Sequence, residues 1–123
     1  MGYDQRQHTR FLPTDNAFAA LGSEYTIVGN IKDISKGGIA FSYITDENQY
    51  LEPSQKIEIF LFGNNFNLSE MPCTIVYDTT ARVFKTDRQF INKRCGVQFG
   101  VLTENQSGQL GYFIENYTVG SSS

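Results

Sequence analysis

Short apolar runs that alternate with polar residues, each cut off by glycine or another turn former, leave this chain one kind of architecture. Ile57, Ile59 and Leu61 alternate with Glu58, Phe60 and Phe62, and Tyr25, Ile27, Gly29 and Ile31 fall on one side of an earlier run. That two-residue period belongs to strands, because successive side chains leave opposite faces of a pleated backbone. Ten Phe and seven Tyr supply ring surface that suits a pleated sheet, and eleven Gly punctuate the runs. The chain is therefore expected to be all-β. Strands are expected near 17–21, 25–33, 38–43, 56–62, 72–78 and 94–102. The run ending at Phe62 turns apolar on both sides. That fits a strand of a small closed barrel packed outside as well as inside.

Turns are expected at Gly22-Ser23, Gly37-Gly38, Thr45 to Ser54 and Gly63-Asn64-Asn65, each rich in residues that accept turn geometry. Between Thr79 and Lys93 the pairs Val83-Phe84 and Phe90-Ile91 suit a hairpin, which the sequence leaves open. One helix is expected near the C-terminus. Thr103 to Gln106 reads as a capping box, and Leu110, Phe113, Ile114 and Tyr117 recur at helical spacing. Gly108 and Gly111 weaken it by about 1 kcal/mol each relative to Ala, so it must dock its apolar stripe. The division expected is a flexible arginine arm over 1–12, a domain over 13–118 and a disordered tail over 119–123.

With 123 residues the chain suits one domain, large enough to sustain one core. A net charge of −3 argues against a general nucleic-acid binder. No apolar run approaches the roughly 18–20 residues of a membrane span, and the N-terminus lacks the apolar core of a secretory signal, so a cytoplasmic protein is expected. Cys73 and Cys95 sit in strand-like runs and are expected as small buried residues, kept reduced in the cytosol. One histidine and no C-x-x-C pair leave no expected metal site.

Two short motifs carry the chemistry. Arg6 and Arg10 stand four apart in R-Q-H-T-R, and Asp33, Ser35, Gly37 and Gly38 follow in D-I-S-K-G-G. Guanine offers two acceptors, N7 and O6, on one edge, which a planar arginine fork matches. Its other edge offers N1–H and an amino group, which a carboxylate such as Asp33 accepts. Phosphates call for positive charge, supplied by Arg6 and Arg10. Ser35 both donates and accepts, and Gly37 and Gly38 are expected to turn the chain through a left-handed, positive-φ backbone and to leave no side chain in a ligand's way. Read alone, the arginines are solvated charges on a loose terminus and Asp33 to Gly38 an ordinary hairpin turn. Together in a β-rich chain they point to a nucleotide site.

The chain resembles a stand-alone PilZ domain from about Asp4 to Tyr117. Arg6 and Arg10 match the arginine motif of that family; Asp33, Ser35 and Gly38 match its D/N-x-S-x-x-G motif; and Cys95 to Phe99 (C-G-V-Q-F) resembles its late G-V-x-F strand. The resemblance implies a six-stranded antiparallel β-barrel with a C-terminal helix, in a bacterial protein that binds cyclic di-GMP. It implies that the arginine arm wraps over the ligand and that the second motif holds a guanine. Gln5 stands where many relatives have another basic residue, a position associated with whether one or two ligand molecules bind. Thr9 replaces a frequent proline, and Tyr77 falls where relatives often carry an aromatic residue.

The function implied is a non-catalytic receptor. Its arm, carrying Arg6 and Arg10, orders on cyclic di-GMP beside Asp33, Ser35, Gly37 and Gly38, and the complex signals to a separate effector protein. No further cofactor is expected. The alternative is an adaptor of the same fold that binds protein and no nucleotide. An enzyme is not expected, since the lone His8 sits on the arm with no nucleophile placed beside it. Arg82, Lys85, Arg88, Lys93 and Arg94 crowd into thirteen positions. They are read as a solvated hairpin with Asp78 and Asp87 nearby rather than as a nucleic-acid site.

Overall fold

Eight strands and one helix make up the described part of the computed structural model, which covers residues 8–22, 26–46, 50–85 and 89–122. In chain order they are β1 (Arg10–Pro13), β2 (Ala17–Leu21), β3 (Ile27–Ile34), β4 (Gly38–Thr45), β5 (Ser54–Leu61), β6 (Asn67–Lys85), β7 (Gln89–Phe99), α1 (Glu104–Asn116) and β8 (Thr118–Ser122). The ladder runs β2-β5-β6-β7-β4-β3, and β3 pairs back onto β2, so six antiparallel strands close on themselves. Closure removes the sheet edges an open sheet would expose. Inward positions recur every second residue: Ala17, Ala19 and Leu21 on β2; Ile39, Phe41 and Tyr43 on β4; Cys95, Val97 and Phe99 on β7.

The six strands expected from alternation are those of the ring, with β6 much longer than expected and β7 beginning earlier, at Gln89, and ending at Phe99. The open stretch is their shared hairpin, with Val83 opposite Ile91 and Phe84 opposite Phe90. The expected tail is instead β8, which pairs with β1 from Arg10–Ser122 to Pro13–Thr118. Glycine and serine gave no strand signal there, because backbone pairing to β1 is what holds it. Residues 10–12, expected in the arm, belong to β1, which also meets the end of β3 at Phe11–Ile34.

Helix α1 begins as expected. Thr103 accepts from the Gln106 backbone, and Gln106 accepts from the Thr103 N–H. The same Gln106 side chain donates to the carbonyls of Ser69 and Glu70, tying the helix to β6. Leu110, Phe113 and Ile114 join the barrel core, and Phe113 meets Phe66 and Tyr117 ring to ring at 5.4 and 5.7 Å. Cys73 and Cys95 are free and buried. Cys73 pairs with Phe99 and Cys95 with Asp78, so the thiols stand four positions apart along neighbouring strands. At about 3.3 Å per residue that exceeds the roughly 7 Å a disulfide allows between Cα atoms. Burial pushes Cys73 up to about 11 and Cys95 to about 12.

Candidate functional site

One inserted residue in β3 turns Asp33 outward. Ile31 pairs with Phe41 and Asp33 with Ala40, so two steps on β3 meet one on β4 and Lys32 is extra. Strict alternation from Ile31 would aim Asp33 into the core. The bulge resets the phase instead, so that Ile31 and Ile34 both stay buried and Asp33 faces out. There Arg10 Nη1 donates to Asp33 Oδ1 at 2.6 Å, and Arg94 Nη2 approaches Oδ2 at 3.5 Å. The carboxylate is the most sheltered of the three, with 13% of its side chain exposed against 34% for Arg10 and 42% for Arg94.

The outward row through Asp33 continues across the barrel as Ala40 on β4, Gly96 on β7 and Tyr77 on β6. Gly96 is a close-approach glycine, because a Cβ there would come within 2.2 Å of the Tyr77 ring. The Tyr77 ring thus covers Gly96, and the face carries Asp33 and its arginines on one side of Ala40 and this aromatic ring on the other. A bulge between Ile75 and Tyr77 delivers that ring outward.

Ser35 to Gly38 build the turn beside it. The buried Ser35 hydroxyl accepts from the N–H groups of Gly37 and Gly38 at 3.0 and 3.2 Å, and Ser35 N donates to Gly38 O at 2.9 Å. The expected reason for the glycines was a left-handed backbone, and here the structure differs. Positive φ among the described glycines occurs at Gly22 and Gly63, not in this turn. Gly38 is instead required by β7, since a Cβ would fall 2.1 Å from the Val97 carbonyl oxygen. Gly37 lies under His8, whose ring carbon would stand 2.7 Å from an added Cβ. His8, Arg10, the turn, Val76 and residues 97–100 line an open cavity of about 500 Å³.

Of the residues singled out from the sequence, the structure brings Arg10, Asp33, Ser35, Gly37 and Gly38 together; Arg6 lies outside the described residues. Arg94 was missed as a partner of Asp33. Its signal was adjacency to Lys93, since neighbours on a strand leave opposite faces. Arg88 of the crowded basic stretch lies outside the described residues, and three of its other members are dispersed accordingly. Lys93 points inward to Asp78 at 3.1 Å, Arg94 outward to Asp33, and Arg82 lies 5.0 Å over the Phe84 ring. Among the described residues no group of His, Cys, Asp and Glu suits a metal ion, and no helix is long and apolar enough to cross a membrane.

The family model described as PilZ domain matches residues 4–116. No curated protein matches the chain. Among solved structures, the PilZ domain of YcgR from Escherichia coli, solved with c-di-GMP, matches at a TM-score of 0.66 and 13% identity, over 93% of this chain and 92% of that one. MrkH, a c-di-GMP-dependent transcription regulatory factor, matches at 0.62 and 14% identity over 91% of this chain, which spans 50% of MrkH. At such identities the likeness is one of fold.

Proposed function

This chain belongs to the PilZ domain family, and on that footing we propose that it is a cytoplasmic bacterial receptor for cyclic di-GMP that passes its signal to a separate protein. The observation that carries the reading is the Arg10–Asp33 contact at 2.6 Å, which joins the two sequence motifs on one outward face. Asp33 accepts from N1–H and the amino group of a guanine held beside the Tyr77 ring, which itself packs on Gly96. Arg94 and Arg10 offer forks to N7, O6 or phosphate. Arg6 adds positive charge from the leader ahead of β1, which closes over the ligand. Ser35, with its hydroxyl engaged by two backbone N–H groups, acts by holding the turn. A partly exposed ion pair is worth on the order of 1 kcal/mol, so guanine and phosphate can displace the arginines from Asp33 without unfolding the site.

The reading is one of binding rather than catalysis, which membership of the PilZ family supports. Titration calorimetry with cyclic di-GMP tests it on wild type and on Arg6→Ala, Arg10→Ala and Asp33→Ala. Wild type is expected to bind at micromolar concentration or tighter, and each variant to lose roughly a hundredfold, about 2.7 kcal/mol. Equal binding by all four proteins removes the site.

A further inference from the structure

Towards the other end of β3 from Asp33, the outward faces of β2, β3 and β5 carry a second carboxylate under quite different conditions. Glu58 is only 9% exposed. Its cross-strand neighbour is Ala20, whose own partner on β3 is Val28, and the next row places Phe18 against Phe60 in a stacked pair at 5.7 Å. The one side-chain partner of Glu58 among the described residues is the amide of Asn67, bonded to Oε2. A neutral amide on one oxygen brings no opposite charge, so the carboxylate has no counterion among the described residues. The carboxylate is nevertheless not sealed in. With Phe60, Phe66 and Asn64 it lines a cavity of about 400 Å³ open to solvent. The apolar part of the lining reaches the surface, with Val28 46% accessible.

We infer that this cavity is a docking pocket for a cationic side chain, an arginine or lysine, presented by a partner protein between apolar residues. A guanidinium or ammonium group supplies the missing charge and donors at Glu58. Its aliphatic stem lies along Phe60 and Phe66, where ring faces also attract a cation. The lining argues for a polypeptide rather than a free amine, because a small cation would leave Val28 and the edges of Phe60 and Phe66 wet, whereas flanking apolar side chains cover them. The pocket therefore gives the separate protein of the proposed function a place to dock, and it rests on that reading for the existence of such a partner. It uses none of the residues around Asp33.

The test is a set of titrations followed by ¹H–¹⁵N spectra of the whole chain. The probe is acetyl-Leu-Arg-Leu-amide; its controls are the same peptide with citrulline, which keeps the shape and loses the charge, and agmatine, a free guanidinium. The expected result is saturable shifts at Ala20, Val28 and Asn64–Asn67 with an affinity of about millimolar. Citrulline in the peptide, or Glu58→Gln in the protein, should each weaken binding roughly tenfold or more. The citrulline arm needs no variant, so a failure of Glu58→Gln to fold leaves the test intact. No saturable shifts, or equal binding of the citrulline peptide, overturns the pocket. Agmatine binding as tightly as the arginine peptide overturns the partner-protein assignment in favour of a free cation. Cyclic di-GMP binding is measured separately on the same samples, so either reading can fail without the other.

Discussion

Lys93 and Arg94 are consecutive residues of β7, and each meets a sheltered aspartate, yet the two cations live in different solvents. Lys93 points into the barrel, where Asp78 accepts from it at 3.1 Å and from the Tyr43 hydroxyl at 2.8 Å. Both charged side chains there are nearly enclosed, 8% and 14% exposed. Arg94 points out, shares Asp33 with Arg10 at a longer 3.5 Å, and stays 42% exposed. The inward pair is held by low dielectric and by the lack of water to replace either partner. The outward pair exchanges with solvent at little cost. One strand thus carries a fixed structural contact on one face and a replaceable one on the other, and only the replaceable kind can yield to a ligand.

The largest effect expected follows from breaking the inward pair. Asp78→Ala removes the carboxylate facing Lys93 and the acceptor of Tyr43, and should cost about 3–5 kcal/mol of folding stability. Denaturant unfolding of this variant beside Asp33→Ala checks the contrast directly. Asp33→Ala should lose no more than about 1 kcal/mol. If the two variants lost equal stability, the division between fixed and exchangeable pairs would be wrong.

Next in size is Gly38→Ala. The added methyl meets the Val97 carbonyl at 2.1 Å, and both partners are backbone, so β4 and β7 must separate. A loss of about 2–3 kcal/mol is expected, as for an overpacked core position. Gly37→Ala meets only the His8 ring, which can swing away, and should cost far less. Comparable losses from both would mean that the turn's own conformation sets the requirement, and not the approach to β7.

Much of this was legible beforehand. Alternation located the six ring strands, because a buried face and a wet face impose period two on any sequence that must serve both. The capping box and the stripe through Leu110, Phe113 and Ile114 located the helix. Three things were hidden, each for a physical reason. The bulge at Lys32 reverses the phase of β3 with no turn residue to announce it, so the sequence did not say which way Asp33 faces. β8 is held by main-chain pairing to β1, and its glycine and serines carry no strand preference. Arg94 reaches Asp33 over Ala40 and Ser42 from two strands away, a proximity that only register reveals.

The interior also has a pH signature that the outward face lacks. Burial, then the hydrogen bond to Asp78, raises Tyr43 well above its ordinary value of 10.0, and burial lifts Cys73 and Cys95 from 9.0 to about 11 and about 12. All three must stay protonated in the folded barrel while the unfolded chain releases their protons. Stability is therefore full below pH 9 and falls as pH rises, first through the thiols and then through Tyr43. Each group contributes a slope of up to about 1.4 kcal/mol per pH unit between its unfolded and folded values. Unfolding free energy measured from pH 8 to 11 should show this decline, and Cys73→Ala with Cys95→Ala should flatten its first part. An unchanged profile in the double variant would place the loss elsewhere.

The smallest effect probes the outward pair most finely. Arg94→Lys keeps the charge beside Asp33 and removes the planar fork. Folding stability should not move, since the position is 42% exposed and its contact to Asp33 is long. Cyclic di-GMP affinity should fall several-fold, within the roughly 1–3 kcal/mol that a bidentate contact to guanine N7 and O6 is worth. The salt dependence of binding separates the outcomes. If Arg94 serves the base edge, the lysine variant keeps the wild-type salt slope while losing affinity. If it serves only as a general positive charge, affinity and slope both stay as they were. In that second case the guanine fork would belong to Arg10 or Arg6, and β7 would lend the site nothing beyond Gly96 and the field of an exposed cation.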